Sequence, residues 1–334
     1  MEDNKTALVL GATGGIGGEV ACQLRDAGWD VRALHRRVLP GSERRDGITW
    51  IPGDAMSASD VLDASAGCSL IVHAVNPPGY RRWAELVLPM LDNTIAAAAS
   101  VGATIVLPGT IYNYGADALP VLSEDSPQHP QTRKGAIRVE LERRLQSATS
   151  KGCRVIVVRA GDFFGPKPGN NWFSQGLVKP GQPVAAINLP GAGRVGHQWS
   201  YLPDVARTMV ELVSRRQSLS AFASFHMAGH WDMDGTQMAA AIRRAVVRRG
   251  GVAPQTRAFA WWLVMLASPF VPTLREMLEM RYLWNAPIRM NNARLVQLLG
   301  HEPHTPIDIA VEATLEGMGC FASSESSASM LLQG

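Results

Sequence analysis

The chain has 334 residues, of which 46% are hydrophobic and 18% are charged. This length and composition exclude a chain that is disordered as a whole, and they allow one large domain or two interlocked smaller ones. The 32 lysines and arginines nearly balance 29 aspartates and glutamates, giving a net charge of +3. Because the basic residues occur as scattered pairs, the pattern predicts no nucleic-acid partner.

Cysteine usage and the N-terminus indicate the compartment. The four cysteines lie far apart, without the CxxC or Cys/His spacing of a metal site, so we expect neither a disulfide framework nor a metal ion. Acidic residues stand where a signal peptide would carry basic ones. These features predict a reducing, cytoplasmic location.

The longest apolar stretch lies in the C-terminal half. It runs from Ala258 to Leu266 and falls well short of the roughly 20 residues that a membrane span requires. The stretch predicts a buried helix, with contact at a membrane surface as the alternative, and the sequence predicts no membrane partner.

Short apolar runs alternate with longer amphipathic segments from the N-terminus onward. In chain order, the strand-like runs are residues 7–11, 29–35, 48–53, 69–75, 103–109 and 153–160. The helix-like stretches include 15–27, 83–101 and 135–151, each long enough for a right-handed crossover. This alternation predicts an α/β fold, a Rossmann-type doubly wound parallel sheet.

After Gly165 the pattern becomes irregular, and then a helix near 203–215 and a strand near Phe225 follow. We therefore predict a dinucleotide-binding domain over 1–165 with a returning segment near 197–228. Residues 166–196 and 229–320 are predicted to form a smaller C-terminal substrate-binding domain. Residues 321–334 have the composition of a loose tail.

A glycine-rich turn follows the first predicted strand and opens a helix. Gly11 allows a tight turn, Gly14 allows backbone amides to approach a pyrophosphate, and Gly17 allows the helix to pack closely. The helix N-terminus would face the phosphates with its free N–H groups. The turn, with Thr13, Gly15 and Ile16, therefore predicts dinucleotide binding; a glycine-rich turn without a nucleotide is the alternative.

The GxxGxxG spacing resembles that of the extended short-chain dehydrogenase/reductase superfamily, which includes NAD-dependent epimerases and dehydratases. The segments WDVRALHRR, VVRAGDFFGP and HQWSYLPDVARTMVEL also resemble this superfamily, and the resemblance covers most of residues 5–315. It implies a nicotinamide cofactor and a homodimer formed through the helices near 83–100 and 135–151.

The end of the second strand indicates which cofactor is bound. Arg36 and Arg37 stand where an NAD enzyme usually places a carboxylate, and two guanidiniums can clamp a 2′-phosphate. We therefore expect NADP(H) rather than NAD(H), unless the arginines simply face solvent.

The resemblance places further residues at the cofactor. It gives Asp54 the adenine contact, although a helix N-cap is the alternative. It also implies that the backbone at the end of the fourth strand lines the cofactor. For the side chain of His73, which lies there, we favour a buried core role. The remaining positions that it implies are Ala55, His73, Ala74, Val75, Pro108, Ala160 and Phe163.

The catalytic Tyr-x-x-x-Lys pair of the superfamily is replaced. Lys134 stands at the tyrosine position and Arg138 at the lysine position, while Thr110 matches the hydroxyl that orients the substrate oxygen. We expect Arg138 to bind ribose hydroxyls of the cofactor, and its guanidinium does not titrate at working pH. Proton transfer then falls to Lys134, whose charged form is disfavoured by a nearby cation and burial. Alternatively Tyr112 or Tyr114 supplies the phenol, or no acid/base chemistry occurs.

The loops expected to face the substrate carry aromatic side chains and a few amides, which predicts a mostly apolar pocket. These residues are Asn76, Tyr80, Trp83, Tyr114, Asn171, Trp172 and His197. The leading interpretation is an NADP-dependent oxidoreductase acting on a small or medium organic carbonyl or alcohol. The alternatives are an epimerase, dehydratase or other isomerase or lyase with bound cofactor, and a non-catalytic NADP(H)-binding sensor.

Overall fold

The computed structural model describes residues 4–39, 41–77, 82–167, 169, 171–191 and 195–321. The chain divides into two compact units. Unit 1 comprises the residues up to Gly161, Leu202–Ala228 and Arg289–Pro303. Unit 2 comprises Asp162–Tyr201, Gly229–Ile288 and the residues from His304 onward.

Unit 1 is built on an eight-stranded sheet. Its strands are β1 (Thr6–Leu10), β2 (Asp30–His35), β3 (Glu43–Arg45), β4 (Ile48–Pro52), β5 (Leu70–His73), β6 (Thr104–Thr110), β8 (Arg154–Ala160) and β12 (Phe222–His226). The order is β12-β8-β6-β5-β1-β2-β4-β3, and the β3–β4 pair alone is antiparallel. The chain reverses its direction across the sheet between β1 and β5, so the predicted doubly wound fold is confirmed.

Helices cover the sheet because its central strands are apolar on both faces. The helices of unit 1 are α1 (Gly15–Asp26), α2 (Ala58–Ser65), α3 (Trp83–Val101), α4 (Arg133–Ala148), α5 (Leu202–Ser214) and α9 (Ala293–Leu299). Leu91 of α3 and Leu145 of α4 are fully buried in one core with Ile71 and Ile105 of the sheet. A Leu→Ala substitution in such a core costs about 2–5 kcal/mol. A short parallel pair, β7 (Val121–Leu122) with β15 (Arg289–Met290), completes the unit.

Helix α3 is long and apolar enough, by length and composition alone, to cross a membrane. Core helices share this property, and α3 contributes Val87, Leu91 and Ala98 to the core of unit 1. It also contains Glu85 and Asp92. Nothing more follows from its length.

The described part of unit 2 combines small sheets with four α-helices. Its strands are β9 (Asp162–Phe164), β10 (Ala186–Leu189), β11 (His197–Tyr201), β13 (His230–Asp232) and β14 (Gln255–Ala258). Strand β11 pairs with β9 and β13, and β10 pairs with β14. The helices are α6 (Gln237–Arg248), α7 (Trp261–Ala267), α8 (Pro272–Glu279) and α10 (Ile307–Gly317).

The unit boundaries differ from the predicted domains at three places. Residues 162–165, predicted in the first domain, belong to unit 2, because β9 pairs with β11. Residues 289–303 belong to unit 1, because β15 pairs with β7 and α9 lies beside β12. Residues 197–201, predicted to return to the first domain, belong to unit 2, because β11 pairs with β9 and β13. A two-residue strand such as β15 has too little periodicity to be recognised from sequence.

The predicted buried helix over Ala258–Leu266 is wrong in its burial. The helix occurs as α7, but Val264 is its only residue in the buried class. Trp262 and Leu266 are 63% and 69% exposed. An unbroken apolar run does not by itself distinguish a buried helix from an exposed apolar surface.

Candidate functional site

The turn from Gly11 to Gly17 leaves no room for larger residues at its first and last glycines. Gly11 has a φ of +91°, and a Cβ there would lie 2.5 Å from the carbonyl oxygen of Ala74. A Cβ on Gly17 would lie 2.3 Å from the Gly11 carbonyl oxygen. The turn is closed by a 2.9 Å bond from the Gly14 N–H to that same oxygen. Gly17 therefore packs against the turn itself, which holds α1 close to the end of β1.

Helix α1 begins at this turn with a free positive end. Its N-cap, Gly14, has no side chain to accept a hydrogen bond, and its first turn carries no acidic residue. Thr13 and Gly14 are exposed, while Gly15 and Ile16 are half-buried. The first N–H groups of a helix lack partners within it and carry a partial positive charge. This geometry fits a pyrophosphate, as predicted.

Four strand ends of the sheet meet at the edge where this turn lies. Gly11 and Ala74 follow β1 and β5, and the Ala74 N–H donates to the Leu10 carbonyl oxygen at 2.9 Å. Thr110 and Ala160 end the neighbouring strands β6 and β8 and are paired in register. Pro108 and Val75 lie close to the same strand ends. Nucleotides bind at such a switch point in open α/β sheets.

Arg36 and Arg37 lie immediately after β2, and both side chains are exposed. The Arg37 backbone N–H donates to His35 Nδ1 at 3.3 Å. Partial burial and the Arg37 and Arg36 guanidiniums lower the pKa of His35 below its usual value. The strand end thus presents two permanent cations beside an imidazole whose charged form is disfavoured.

Asp54 does not cap helix α2. That cap is Ser57, whose hydroxyl accepts from the Asp60 N–H at 3.3 Å, so the N-cap alternative for Asp54 is wrong. Asp54 Oδ1 instead accepts from the Met56 N–H at 3.0 Å, and Oδ2 lies 4.0 Å from Arg36 Nη1. The adenine contact of Asp54 stays a prediction. The neighbouring Ala55 is buried, and its carbonyl oxygen accepts from Asn93 Nδ2 at 2.9 Å.

His73 is a buried core residue, which confirms the interpretation favoured for its side chain. Its Nδ1 lies 2.8 Å from Thr94 Oγ1. Burial, with the nearby Arg138 guanidinium, lowers the pKa of His73 to about 3. Its imidazole is therefore neutral at ordinary pH, and only backbone near it can face a cofactor.

The predicted catalytic residues Thr110, Tyr112 and Lys134 come from two elements that touch. Thr110 caps a 3-10 turn, Ile111–Asn113, by accepting from the Tyr112 N–H at 3.4 Å. A Cβ on Gly135 in the first turn of α4 would lie 2.3 Å from the Tyr112 carbonyl oxygen. Lys134, the preceding residue, is 3% exposed. The structure therefore brings the start of α4 and the end of β6 together.

Arg138, one turn further along α4, is held against Trp83. Its guanidinium carbon lies 5.1 Å from the centre of the indole ring. The Trp83 Nε1–H in turn donates to Asn76 Oδ1 at 2.6 Å. Three residues predicted separately, two for the substrate and one for the catalytic pair, thus form one contiguous group.

Tyr114 was predicted to contact the substrate or to supply the missing phenol, and this prediction is wrong. The residue is 1% exposed. Its hydroxyl lies 2.8 Å from His226 Nε2 and accepts from Arg159 Nη1 at 3.0 Å. Burial raises the pKa of Tyr114 above its usual value. The phenol belongs to a buried network, so Tyr112 is the remaining tyrosine from this segment.

The buried network centres on an ion pair that sequence reasoning missed. Arg159 Nη2 donates to Glu142 Oε2 at 2.5 Å, and Asn113 Nδ2 donates to Glu142 Oε1 at 2.8 Å. Both charged side chains are nearly inaccessible to solvent. The available signal was an arginine inside the apolar run RVIVVRA, since a buried charge requires a partner.

The predicted residues of unit 2 lie among aromatic rings. The ring of His197 stacks on Trp284 with centres 3.8 Å apart, and its Nε2 lies 2.9 Å from Asp162 Oδ2. Trp172 packs against the same Trp284 ring. Asn171 Oδ1 accepts from the Ser174 N–H at 2.8 Å, and Phe163 lies half-buried on β9.

Tyr80, also predicted for the substrate, lies outside the described residues. Over the residues that the structure describes, no group of three or more His, Cys, Asp or Glu side chains could hold a metal ion.

A family model for the NAD dependent epimerase/dehydratase family matches residues 7–226 of the chain. The chain belongs to this family. Members of the family are enzymes, and the match spans the glycine-rich turn and helix α4, which carries Lys134 and Arg138. The resemblance found from the sequence is therefore confirmed.

Solved structures of this family share the fold. MoeE5 in complex with UDP-glucose and NAD has a TM-score of 0.69 and 19% identity, over 93% of this chain and 98% of that one. UDP-glucose 4-epimerase from Brucella ovis, in complex with NAD, has a TM-score of 0.73 and 14% identity, over 94% and 98%. UDP-glucuronic acid 4-epimerase from Bacillus cereus, in complex with UDP-glucuronic acid and NAD, has a TM-score of 0.69 and 15% identity, over 94% and 98%. No curated protein matches the chain by sequence.

Proposed function

We propose that this chain binds a nicotinamide dinucleotide at the Gly11–Gly17 turn and uses it for hydride transfer at a hydroxyl-bearing carbon of a small-molecule substrate. The observation that carries the proposal is the turn itself. Gly11 and Gly17 exclude any side chain, and the uncapped start of α1 offers N–H groups at the β1/β5 switch point. The residues present therefore fit the pyrophosphate of such a cofactor.

The cofactor, when bound, supplies a hydride donor or acceptor. The chain's own task is then to manage the proton on the substrate oxygen. Lys134 Nζ takes this role in the proposal, because it stands at the family's tyrosine position on the first turn of α4. Its ammonium form donates a proton and its amine form accepts one. Thr110, fixed at the end of β6 by the Tyr112 N–H, orients the substrate oxygen.

Arg138 holds the cofactor in this proposal and transfers no proton. Its guanidinium is permanently charged and is kept in place by Trp83, which Asn76 holds in turn. A planar cation in this position can donate to two ribose hydroxyls at once. These roles differ from those of the family's Tyr-x-x-x-Lys pair, since here the lysine transfers the proton and the arginine binds the cofactor.

The solved relatives favour a reaction in which the cofactor is regenerated. They include two UDP-sugar 4-epimerases with NAD. We therefore favour an epimerase or dehydratase type of reaction, with a sugar nucleotide or a smaller hydroxyl compound as substrate. This ordering reverses the one reached from the sequence, which placed a net oxidoreductase first.

A net NADP(H)-dependent oxidoreductase is the second candidate, and Arg36 and Arg37 favour it. Both guanidiniums are exposed beside the strand end where a 2′-phosphate would lie. We propose a preference for NADP(H) on this ground, although the solved relatives contain NAD. We also keep the cytoplasm as the proposed location, since Cys68, Cys153 and Cys320 are buried free thiols.

The proposed function can be tested by following product and cofactor in the same sample. The purified chain is incubated with UDP-glucose, UDP-glucuronic acid or a panel of carbonyl compounds, together with NAD(H) or NADP(H). Product appearing by NMR without a net absorbance change at the NADH band supports the favoured reaction. Product formation with a matching change in cofactor absorbance supports the net oxidoreductase. Tight cofactor binding without product and without an absorbance change would contradict both candidate reactions and support a non-catalytic sensor.

Lys134→Met and Tyr112→Phe variants assign the proton donor. We expect Lys134→Met to abolish turnover while leaving cofactor affinity within about threefold. Tyr112→Phe removes one hydroxyl and serves as the matched control, with turnover close to that of the wild type. Loss of turnover in Tyr112→Phe alone would make Tyr112 the proton donor. Unchanged turnover in both variants would show that neither residue is the proton donor.

A further inference from the structure

An exposed apolar surface on unit 2 is concentrated in one short segment. Of the fifteen exposed large hydrophobic side chains in the described part of the chain, six lie between residues 262 and 271. Scattered exposed apolar residues are ordinary, but a contiguous group marks an interaction surface. We call this group the apolar patch; it consists of Trp262, Leu263, Met265, Leu266, Phe270 and Val271.

Exposed cations flank the apolar patch in the sequence. No aspartate or glutamate occurs from residue 235 to residue 275, whereas six arginines do, and Glu276 and Glu279, which follow on α8, are half-buried. Arg244, Arg248 and Arg249 pair with acidic residues of α10. Arg257 and Arg275, both exposed, flank the apolar patch on its two sides in the sequence. The segment therefore presents apolar side chains between two cations.

We propose that the apolar patch docks on an anionic lipid surface. Tryptophan, phenylalanine and leucine enter the boundary between headgroups and acyl chains, and flanking arginines are attracted to anionic lipids. Helix α7 has seven residues, too few to span a bilayer, so the insertion is shallow. The sequence-based expectation of no membrane partner rested on the lack of a span, which does not bear on attachment of this kind.

A second copy of the chain fits this surface less well. A two-fold interface would bring the same segment of both copies together, and the exposed charged side chains that flank it, Arg257 and Arg275, are both positive. Like charges facing each other across an interface disfavour association. An anionic bilayer meets both features of the surface, the apolar side chains and their positive flanks. The proposal is independent of the cofactor and of the reaction.

Vesicle flotation of the full-length chain tests the proposal. We expect the wild type to float with vesicles of phosphatidylcholine and phosphatidylglycerol and to bind vesicles of phosphatidylcholine alone much more weakly. The double variant Trp262→Ser/Leu266→Ser should lose about tenfold in partitioning, because two large apolar side chains no longer leave water. Met233→Ser/Ile309→Ser removes equally exposed apolar residues elsewhere in unit 2 and should float like the wild type.

The charged flanks are tested separately. Arg257→Gln/Arg275→Gln should weaken binding to the anionic vesicles about tenfold and leave binding to neutral vesicles unchanged. A wild type that does not float, or apolar variants that all float equally, would overturn the proposal. So would a wild-type dimer, seen by light scattering, that Trp262→Ser/Leu266→Ser converts to a monomer, since a second copy would then cover the apolar patch.

Discussion

Arg138 lies over the indole ring of Trp83, with the guanidinium carbon 5.1 Å from the ring centre. The contact joins the middle of α4 to the first residue of α3, and a 2.6 Å hydrogen bond extends it to Asn76 beyond β5. A planar cation stacked on an aromatic face is both oriented and attracted to it. The contact therefore fixes a permanent charge on α4, at the residue that we propose binds the cofactor.

Replacing Arg138 by lysine should weaken cofactor binding. The lysine keeps the charge but loses the stacked plane and the forked donors, so we expect the Kd for the preferred nicotinamide nucleotide to rise about tenfold. Calorimetry measures it. Arg143→Lys, on the exposed face of the same helix, is the control and should leave the Kd unchanged. Equal affinity for all three proteins would show that Arg138 does not touch the cofactor.

Alanine at Gly11 or Gly17 should abolish nucleotide binding and destabilise unit 1. Each new Cβ would overlap a backbone oxygen, at 2.5 Å and 2.3 Å respectively, so we expect a loss of about 1–3 kcal/mol in the free energy of unfolding. Gly102→Ala is the control: its φ of +70° is also strained, but its Cβ would enter open space away from the turn. That variant should lose about 1 kcal/mol and bind normally. Normal binding by Gly11→Ala would refute the assigned turn.

Glu142→Gln should be among the most destabilising single changes in unit 1. It leaves the buried Arg159 guanidinium without its carboxylate, and breaking a buried ion pair in this way costs about 3–5 kcal/mol. Denaturant unfolding measures the loss. The double variant Glu142→Gln/Arg159→Met removes both charges and should recover part of it. If the two single losses simply add in the double variant, the residues do not interact as described.

Stability should fall as the pH drops below about 6.5. Burial lowers the pKa of His73 and of His226 to about 3 in the folded chain, while both titrate near 6.5 when it is unfolded. At lower pH the unfolded chain therefore binds protons that the folded chain does not bind. Each histidine lowers the free energy of unfolding by about 2 kcal/mol by pH 5. Above about pH 6.5 both histidines are largely neutral in either state, and this loss does not occur. Chemical unfolding at pH 7.5 and pH 5 measures this loss.

A His226→Asn variant provides the comparison for this pH dependence. It should be less stable than the wild type at pH 7.5, because the bonds to Tyr114 and Arg159 are weakened. It should also lose about 2 kcal/mol less than the wild type between pH 7.5 and pH 5. An unchanged pH dependence in this variant would show that the pKa of His226 is the same in the folded and the unfolded chain.

The sheet of unit 1 could be predicted because its signals are local. Buried parallel strands give continuous apolar runs such as LIVH in β5, and glycines mark the turn that follows β1. The interest of Lys134 and Arg138 followed from the resemblance to the superfamily, which places them at its catalytic pair. Their proximity to Tyr112 did not, because it depends on Gly135 touching the 3-10 turn over a separation of more than twenty residues.

Two predictions failed because side-chain burial depends on distant partners. Tyr114 has the composition of a site residue, yet His226 and Arg159 enclose its hydroxyl. Conversely, the apolar run predicts that Trp262 and Leu266 are buried, yet both side chains are largely exposed. Apolar periodicity shows which side chains prefer to leave water, but the tertiary fold decides which of them do.

Titration calorimetry shows directly whether the turn from Gly11 to Gly17 binds a nicotinamide dinucleotide. The purified chain is titrated in turn with NADPH, NADP⁺, NADH and NAD⁺, alongside Arg36→Gln/Arg37→Gln and the control Arg44→Gln. We predict saturable binding, tighter for the phosphorylated forms, and a loss of about tenfold or more for NADPH in the double variant alone. If the wild type binds none of the four nucleotides, the turn is not a nicotinamide-dinucleotide site.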